Sequence, residues 1–374
     1  MTAPIPRAPL PVTRRTQLLE TLQRDGTVRV SDLVATLGVS PITIRRDIAQ
    51  LAAEGLVTRV HGGAALVDPS GAAEPDAGGG ATGGEPRQVG MLVPSLDYYW
   101  PGVVRGAEEA ARSHDLRVVL RGSSYDLDDD RRQLDRLLDL GVDALMVAPR
   151  IGAPGAAELL TWLRDLDIPV VLVERTGTAG DHEEEMESVV TDHALGAAMA
   201  VRHLHSLGHT RIGLVANDQS PHARAIRQGW LATSAELGLD PATVVDLSVP
   251  DKADPTWDSV LDRAPQACLD TGTTALLVHA DPEAISVAQK SEARGMKVPQ
   301  DLSIVAYDDE VVSLFSPPMT AVRPPRRSVG RSAVELVAAR LADPGRPTHR
   351  VLISPSLRVR GTSAAPGGRT ARPV

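Results

Sequence analysis

Twenty residues, DPSGAAEPDAGGGATGGEPR at 68–87, constrain this chain more than any other feature. They hold six Gly and three Pro and no large apolar side chain. Such a stretch buries too little apolar surface to offset the entropy of ordering it. It is expected to be a flexible linker, and no single core can run across it. The chain must therefore fold as separate units on either side. The GGGATGG string within it has the glycine content of a phosphate-binding loop. No Lys-Ser/Thr pair follows, and no strand or helix pattern brackets it, so it reads as linker.

The two sides differ in charge. Residues 1–66 carry eight Arg against five acids, a balance of +3, and the formal net charge of the chain is −9, which leaves −12 on the remainder. A basic unit on an acidic body suits a nucleic-acid binder with a solvated second domain, although chance also produces differences of this size. No apolar run approaches the roughly 20 residues that span a bilayer. The start, MTAPIPRAPLPVTRR, lacks an apolar signal region, so a cytoplasmic location without membrane attachment is expected. Cys268, alone of its kind, excludes an intrachain disulfide and a thiolate metal site. It reads as a small buried hydrophobe.

Ahead of the linker the pattern is helical. Thr13 is placed to cap a helix to about Gln23, with Leu18, Leu19 and Leu22 on one face. Ser31 opens a second helix, stopped by Gly38, and Ser40-Pro41 opens a third that ends at Gly55. LVTRVHGGAALV then alternates around Gly-Gly as a hairpin does. Two short helices, a Gly-containing turn and a basic third-helix start make a helix-turn-helix. The third helix would face base edges with its first residues. Ile44, Ile48 and Leu51 form its inward face, which leaves Thr43, Arg46, Asp47 and Gln50 outside and Arg45 at the edge. A solvated basic helix in an ordinary bundle is the alternative on spacing alone.

Beyond the linker, buried strands such as VGMLVP, DALMVAP, IPVVLVE, RIGLVA, TALLVHA and LSIVAYDD alternate with amphipathic helices. Continuous apolar strands separated by helices give a parallel sheet covered on both faces. Ligands of such sheets bind beyond the carboxyl ends of the strands. That rule selects Pro94–Trp100, Gly122–Tyr125, Pro149–Arg150, Asn217–Arg227, Ala280–Glu283 and Asp308–Glu310. His203, His205 and His209 are not read as a metal site, because His203 and His205 point about 200° apart on a helix. The run DHEEEME at 181–187 reads as a solvated loop. No nucleophile motif such as G-x-S-x-G is present, and no enzyme activity or cofactor is expected.

The residues quoted resemble two known families. Residues 14–66, through V-S-x-x-T-I-R-R-D and then R-V-H-G-G-A, resemble the DeoR-type winged helix-turn-helix. The resemblance implies that Ser40, Thr43, Arg45 and Arg46 contact DNA, with Arg59 and His61 in the wing. Residues 88–360 resemble the effector domain of the LacI/GalR family, through VVRGAEEAAR, GVDALMVAP, IPVVLVER, VVTDHALGAAMAVRHLHSLGHTRIGLVA and the long match ending in TAVRPP. This implies a periplasmic-binding-protein-like fold of two α/β lobes, joined by three crossings around a small molecule. The hinge-helix pattern that usually precedes such a body is absent, and the Gly-rich stretch takes its place.

The expected fold is thus α/β, a winged helix-turn-helix plus a two-lobed domain. The expected divisions are an arm at 1–12, the DNA-binding domain at 13–67, the linker at 68–87, the effector domain at 88–360 and a disordered tail at 361–374. Within the effector domain, 88–190 with 321–345 should form one lobe and 191–320 with 346–360 the other.

Effector contacts are expected from Tyr98, Tyr99 and Trp100, whose faces suit a sugar ring, although a cluster between lobes is the plainer reading. Asp192 matches a cleft acid of the family, and Asp281 and Asp308 end later strands. The family places Arg three residues before the Gly of R-x-x-G-[FWY]; here Ile226 stands there, flanked by Arg224 and Arg227. Either one of these reaches the cleft or the cleft lacks that Arg. The expectation is a homodimeric regulator, a repressor of carbohydrate-use genes, that binds a double-stranded operator and a small-molecule effector, a sugar. A sugar-binding transport protein, a sensor of a non-sugar metabolite and a sugar-acting enzyme are the rivals.

Overall fold

The computed structural model describes residues 11–37, 39, 41–53, 56–60, 63–66, 86–123, 127–180 and 182–367. The expected arm up to residue 10, most of the linker (68–85) and the tail beyond 367 lie outside these residues.

The N-terminal unit has helices α1 (Pro11–Asp25), α2 (Val30–Leu37) and α3 (Pro41–Ala53), with strands β1 (Thr27–Arg29), β2 (Val57–Val60) and β3 (Gly63–Leu66). The strands form an antiparallel sheet in the order β1-β3-β2, so β2 and β3 are the wing of a winged helix. Leu18, Leu22, Val28, Val30, Leu33, Ile44, Ile48, Leu51, Val57 and Ala64 make its core. The helical spacing of Ile44, Ile48 and Leu51 therefore does what the pattern predicts.

Asp47 corrects the sequence reading. It is buried rather than outward, and its carboxylate takes Nε and Nη2 of buried Arg14, the latter at 3.1 Å. Its partner lies on α1, 33 residues away, which the periodicity of α3 cannot reveal.

The body opens with β4 (Arg87–Val93), α4 (Trp100–Ser113), β5 (Leu116–Gly122), α5 (Leu127–Asp139), β6 (Ala144–Val147), α6 (Ala156–Arg164) and β7 (Val170–Val173). A small hairpin of β8 (Thr178–Ala179) and β9 (Glu184–Glu185) precedes β10 (Ser188–Thr191). The chain then crosses into a second lobe built from α7 (His193–Ser206), β11 (Ile212–Asn217), α8 (Ala223–Glu236), β12 (Asp246–Val249), α9 (Trp257–Asp262), α10 (Ala264–Thr271), β13 (Ala275–His279), α11 (Asp281–Ala293), β14 (Ser303–Tyr307) and β15 (Thr320–Arg323). It returns through α12 (Arg326–Ala342) and β16 (Arg350–Ile353), and crosses once more to β17 (Ser356–Arg358).

The first lobe is a parallel sheet in the order β16-β10-β7-β6-β4-β5. The second runs β12-β11-β13-β14-β15-β17, parallel except for the antiparallel β15–β17 pair. Hydrophobic clusters fill the space between each sheet and its helices. α12 lies against α4 with almost no gap. A Cβ at Gly106 would stand 2.0 Å from the Arg327 carbonyl oxygen, and one at Gly330 1.9 Å from that of Val103. This glycine pair lets the backbones of α4 and α12 touch.

Two expected boundaries move. The strand Arg350–Ile353 belongs to the first lobe and Thr320–Arg323 to the second, so the crossings fall at 191–193, 323–326 and 353–356. An apolar strand carries no mark of which sheet it will join, and register decides that. Residues 361–367 are not a loose tail. Thr362 Oγ1 donates to the Ile304 carbonyl (2.7 Å), and buried His209 contacts the Ala364 carbonyl (2.8 Å), Thr274 and Ser303. His203 meets Ser363 at 2.9 Å. These histidines tie down Ser363 and Ala364.

Candidate functional sites

On the N-terminal unit, Arg46 and Gln50 of α3 are exposed and Thr43 is half-buried. Arg45 lies on the same helix and Arg59 on β2. The side chains of these two, and the whole of Ser40 and His61, lie outside the described residues. The helix N-terminal half and the wing strand are thus in place, with an exposed guanidinium at Arg46.

In the body, the carboxyl ends of both sheets meet at a seam between the lobes. Its backbone is unusual. Among the described residues, six non-glycine residues have positive φ, and four of them line this seam: Tyr98 (57°), Glu174 (53°), Asp308 (99°) and Asp309 (56°). Such conformations cost of order 1–3 kcal/mol each and gather where function requires them.

Tyr98 bridges the lobes. Its hydroxyl donates to Asp308 Oδ2 and accepts from the Asp281 N–H, both at 3.2 Å. Burial pushes Asp308 up to about 6, opposed mainly by the Arg326 guanidinium. Arg326 donates to the Asp308 carbonyl (2.6 Å) and pairs with Glu310 (2.7 Å). Tyr99 and Trp100 are buried and packed edge to face, 5.7 Å between centroids. The Tyr99 hydroxyl donates to Glu174 Oε1. Arg326 and Arg175 lie over the Tyr99 and Trp100 rings at 5.4 and 5.8 Å.

Asp281 serves the backbone. It accepts from the N–H groups of Asp309, Glu310, Val311 and Val312 at 2.7–3.3 Å, shaping the loop that carries Asp308. Burial pushes it up to about 6, and these donors pull the other way. Asp192 caps α7, accepting from Leu195 N at 2.8 Å, at the first crossing. Arg227 turns to the sheet edge, where it pairs with Asp246 and lies 3.5 Å from Asp218. Arg224 is exposed. Ile226 is fully buried in the core, so the helix start is not shifted to bring either Arg inward.

The buried guanidinium at the seam is instead Arg175, which sequence reasoning did not single out. It donates to the Pro149 carbonyl (2.9 Å) and the Glu174 carbonyl (2.7 Å), and reaches His222 Nε2 at 3.4 Å across the seam. Glu174, His193, His222 and Tyr307 were missed as well. Glu174 accepts from Thr191 N (2.9 Å) and Thr191 Oγ1 (2.7 Å). Burial pushes its carboxyl up, but the His193 ring, the Thr191 N–H and the Tyr99 hydroxyl outweigh this and hold it below the usual carboxylate range.

The donors fix the tautomers. Arg175 can only donate, so His222 Nε2 accepts and its Nδ1 carries the proton toward His193 Nε2. His193 then donates from Nδ1 to the Tyr307 hydroxyl (3.2 Å), which donates to the His193 carbonyl (3.2 Å). Gly196 makes room for that hydroxyl, since a Cβ there would lie 2.2 Å from it. The strand end Glu174-Arg175, within IPVVLVER, was the available sequence signal. Nothing local marks His193 and His222.

Residues 14–70 match the DeoR-like helix-turn-helix domain, and 201–363 match the periplasmic binding protein-like domain. The chain is 27% identical over 354 residues to the HTH-type transcriptional regulator MalR of Streptomyces coelicolor, covering 93% of this chain and all of that protein. It is 27% identical over 259 residues to the HTH-type transcriptional repressor CytR of Escherichia coli, covering 68% and 72%. A LacI family regulator from Enterococcus faecium with bound ribose superposes with a TM-score of 0.61 at 20% identity, over 75% of this chain and 99% of that one. The chain therefore joins a DeoR-like helix-turn-helix domain to a periplasmic-binding-protein-like domain, and the relatives it matches are HTH-type transcriptional regulators and repressors rather than enzymes.

Proposed function

We propose that this protein represses carbohydrate-use genes and that a sugar in the seam between its lobes sets its affinity for operator DNA. The observation that carries the reading is the strained polar seam, Tyr98–Asp308–Arg326, in a body joined to a winged helix-turn-helix. Carboxylates and tyrosine hydroxyls at a lobe junction accept from and donate to ring hydroxyls, and flanking aromatics offer an apolar face. A solved neighbour that holds ribose supports a carbohydrate. The operator is contacted by Ser40, Thr43, Arg45 and Arg46, with Arg59 and His61 in the wing. Tyr98, Tyr99, Trp100, Asp192, Arg224, Arg227, Asp281 and Asp308 are the expected effector residues, of which Tyr98 and Asp308 are the best placed. The active species is a homodimer. No helix among the described residues is long and apolar enough to cross a membrane.

A second reading, a non-sugar metabolite, is favoured by Ile226 standing where a cleft Arg was expected. One experiment separates them. A panel of sugars and of nucleosides and amino acids is screened by thermal shift, since a ligand of the native state raises the melting temperature. The hit is then added to an operator titration. A sugar that raises the melting point, weakens operator binding and loses both effects in Tyr98→Phe supports the first reading. A hit from the other classes alone replaces it.

A further inference from the structure

We infer that Glu174, His193 and His222 form a site for a divalent transition-metal ion, Zn²⁺ by preference, that bridges the two lobes. One carboxylate oxygen and two imidazole nitrogens lie within 4.8 Å of one another. Glu174 Oε2 and His193 Nε2 are 3.6 Å apart. Two ligands of one tetrahedral zinc at about 2.0–2.1 Å stand about 3.3 Å from each other, so Glu174 and His193 need little movement, while the His193 and His222 rings must part to admit the ion. The three come from separate places: the end of β7 in the first lobe, the first crossing, and the loop ahead of α8 in the second lobe.

The hydrogen-bond inventory explains why a cation belongs there. Glu174 Oε2, His193 Nε2 and His222 Nδ1 converge, with a single proton among them, on His222 Nδ1. A cation at that point takes the place of this proton and faces all three ligand atoms at once. Each ligand is also oriented from behind. Thr191 and Tyr99 hold the carboxylate, and Tyr307 takes the His193 Nδ1 proton, leaving Nε2 free to ligate. Ligation through Nδ1 moves the His222 proton to Nε2 and gives up the 3.4 Å contact with Arg175. That guanidinium keeps its shorter bonds to the Pro149 and Glu174 carbonyls. Two imidazoles and one carboxylate select zinc, cobalt or nickel over calcium or magnesium. Three protein ligands leave a fourth position for water or an effector oxygen.

This inference rests on the cluster and not on the identity of the effector. The test uses the full-length chain, freed of metal by chelation. Zn²⁺ is titrated by competition with a chromophoric chelator, and Co²⁺ is followed by its visible absorption. The expected result is one ion per chain, with tetrahedral-type Co²⁺ bands. Affinity should drop at least tenfold in His222→Ala and in Glu174→Gln. The Gln variant keeps an acceptor for Thr191, and His222 is in a loop, so the two fail to fold for different reasons if at all. Thermal melting checks each. Absence of stoichiometric uptake, or uptake unchanged in both folded variants, overturns the site. The same metal-free preparation is titrated with operator DNA. Operator binding without metal uptake sinks this inference alone, whereas loss of operator binding sinks the regulator reading.

Discussion

In the N-terminal unit the buried Arg14–Asp47 pair ties α1 to α3 inside an otherwise aliphatic core, and an exposed cation, Arg46, stands on the outer face of α3. In the body the arrangement is inverted. Its two sheets are lined by aliphatic cores, and the charged and titratable groups are gathered at the buried seam between them: Glu174, Arg175, His193, His222, Asp281, Asp308 and Arg326. The difference follows from what each surface meets. A DNA backbone is read by exposed cations whose interaction is screened by salt. A small molecule is read by polar groups already stripped of water, whose placement costs stability.

The largest effect should come from breaking the buried charge pair of the head. Asp47→Ala leaves the Arg14 guanidinium without its carboxylate, which costs about 3–5 kcal/mol. A unit of this size has little more stability than that. Operator binding should vanish and the head's melting transition with it, while the body's transition stays in place in calorimetry. A folded head in this variant would mean that its ion pair is dispensable and the contrast overdrawn.

The next prediction concerns pH. Asp308 sits at about 6 in the folded protein, against about 3.9 unfolded. Between these values the folded state binds more protons, so this group's contribution to stability falls as pH rises from about 4 to 6. Asp308→Asn removes that loss. Relative to the native chain the variant should gain about 2–3 kcal/mol between pH 4 and 7 in urea unfolding. It should also lose its response to effector. A flat difference across this range would show that the seam stores no such cost.

A smaller effect is expected at the exposed surface. Arg46→Ala should change stability by less than about 0.5 kcal/mol. It should weaken operator binding by about 1–2 kcal/mol and lower the salt slope by about one if the contact is to phosphate. Anisotropy titrations at several salt concentrations read both. Unchanged affinity and slope would take α3 out of the interface.

The smallest effect belongs to the stretch between the units. The composition of 68–85 predicts a flexible tether, and for such a tether ten added Gly/Ser residues lower the effective concentration only as about the −3/2 power of length. The expected loss of operator affinity is a few tenths of a kcal/mol, with regulation retained, because such a tether passes no torque. The effector would then act on head separation or dimer affinity. A sharp loss of regulation after one or two added residues would show instead that head and body communicate through an ordered element.

Much of the fold was written in local pattern. The four- and three-residue spacing of Ile44, Ile48 and Leu51 put them in the core, and the apolar runs VGMLVP and TALLVHA became central strands. Such features depend only on the period of each element, which a linear sequence displays. The Tyr98–Asp308 contact was half legible, because both residues follow the carboxyl ends of parallel strands. The rest depended on which strands became neighbours. Asp47 points inward because Arg14 arrives from α1, and Arg350–Ile353 joins the first lobe through register with β10. Glu174, His193 and His222 meet because β7, the first crossing and the α8 loop converge. No short-range signal marks a residue whose partner is 19, 29 or 114 positions away. Local chemistry selected the elements and the strand ends of this protein, and only the packing of two lobes against each other decided which side chains share the seam.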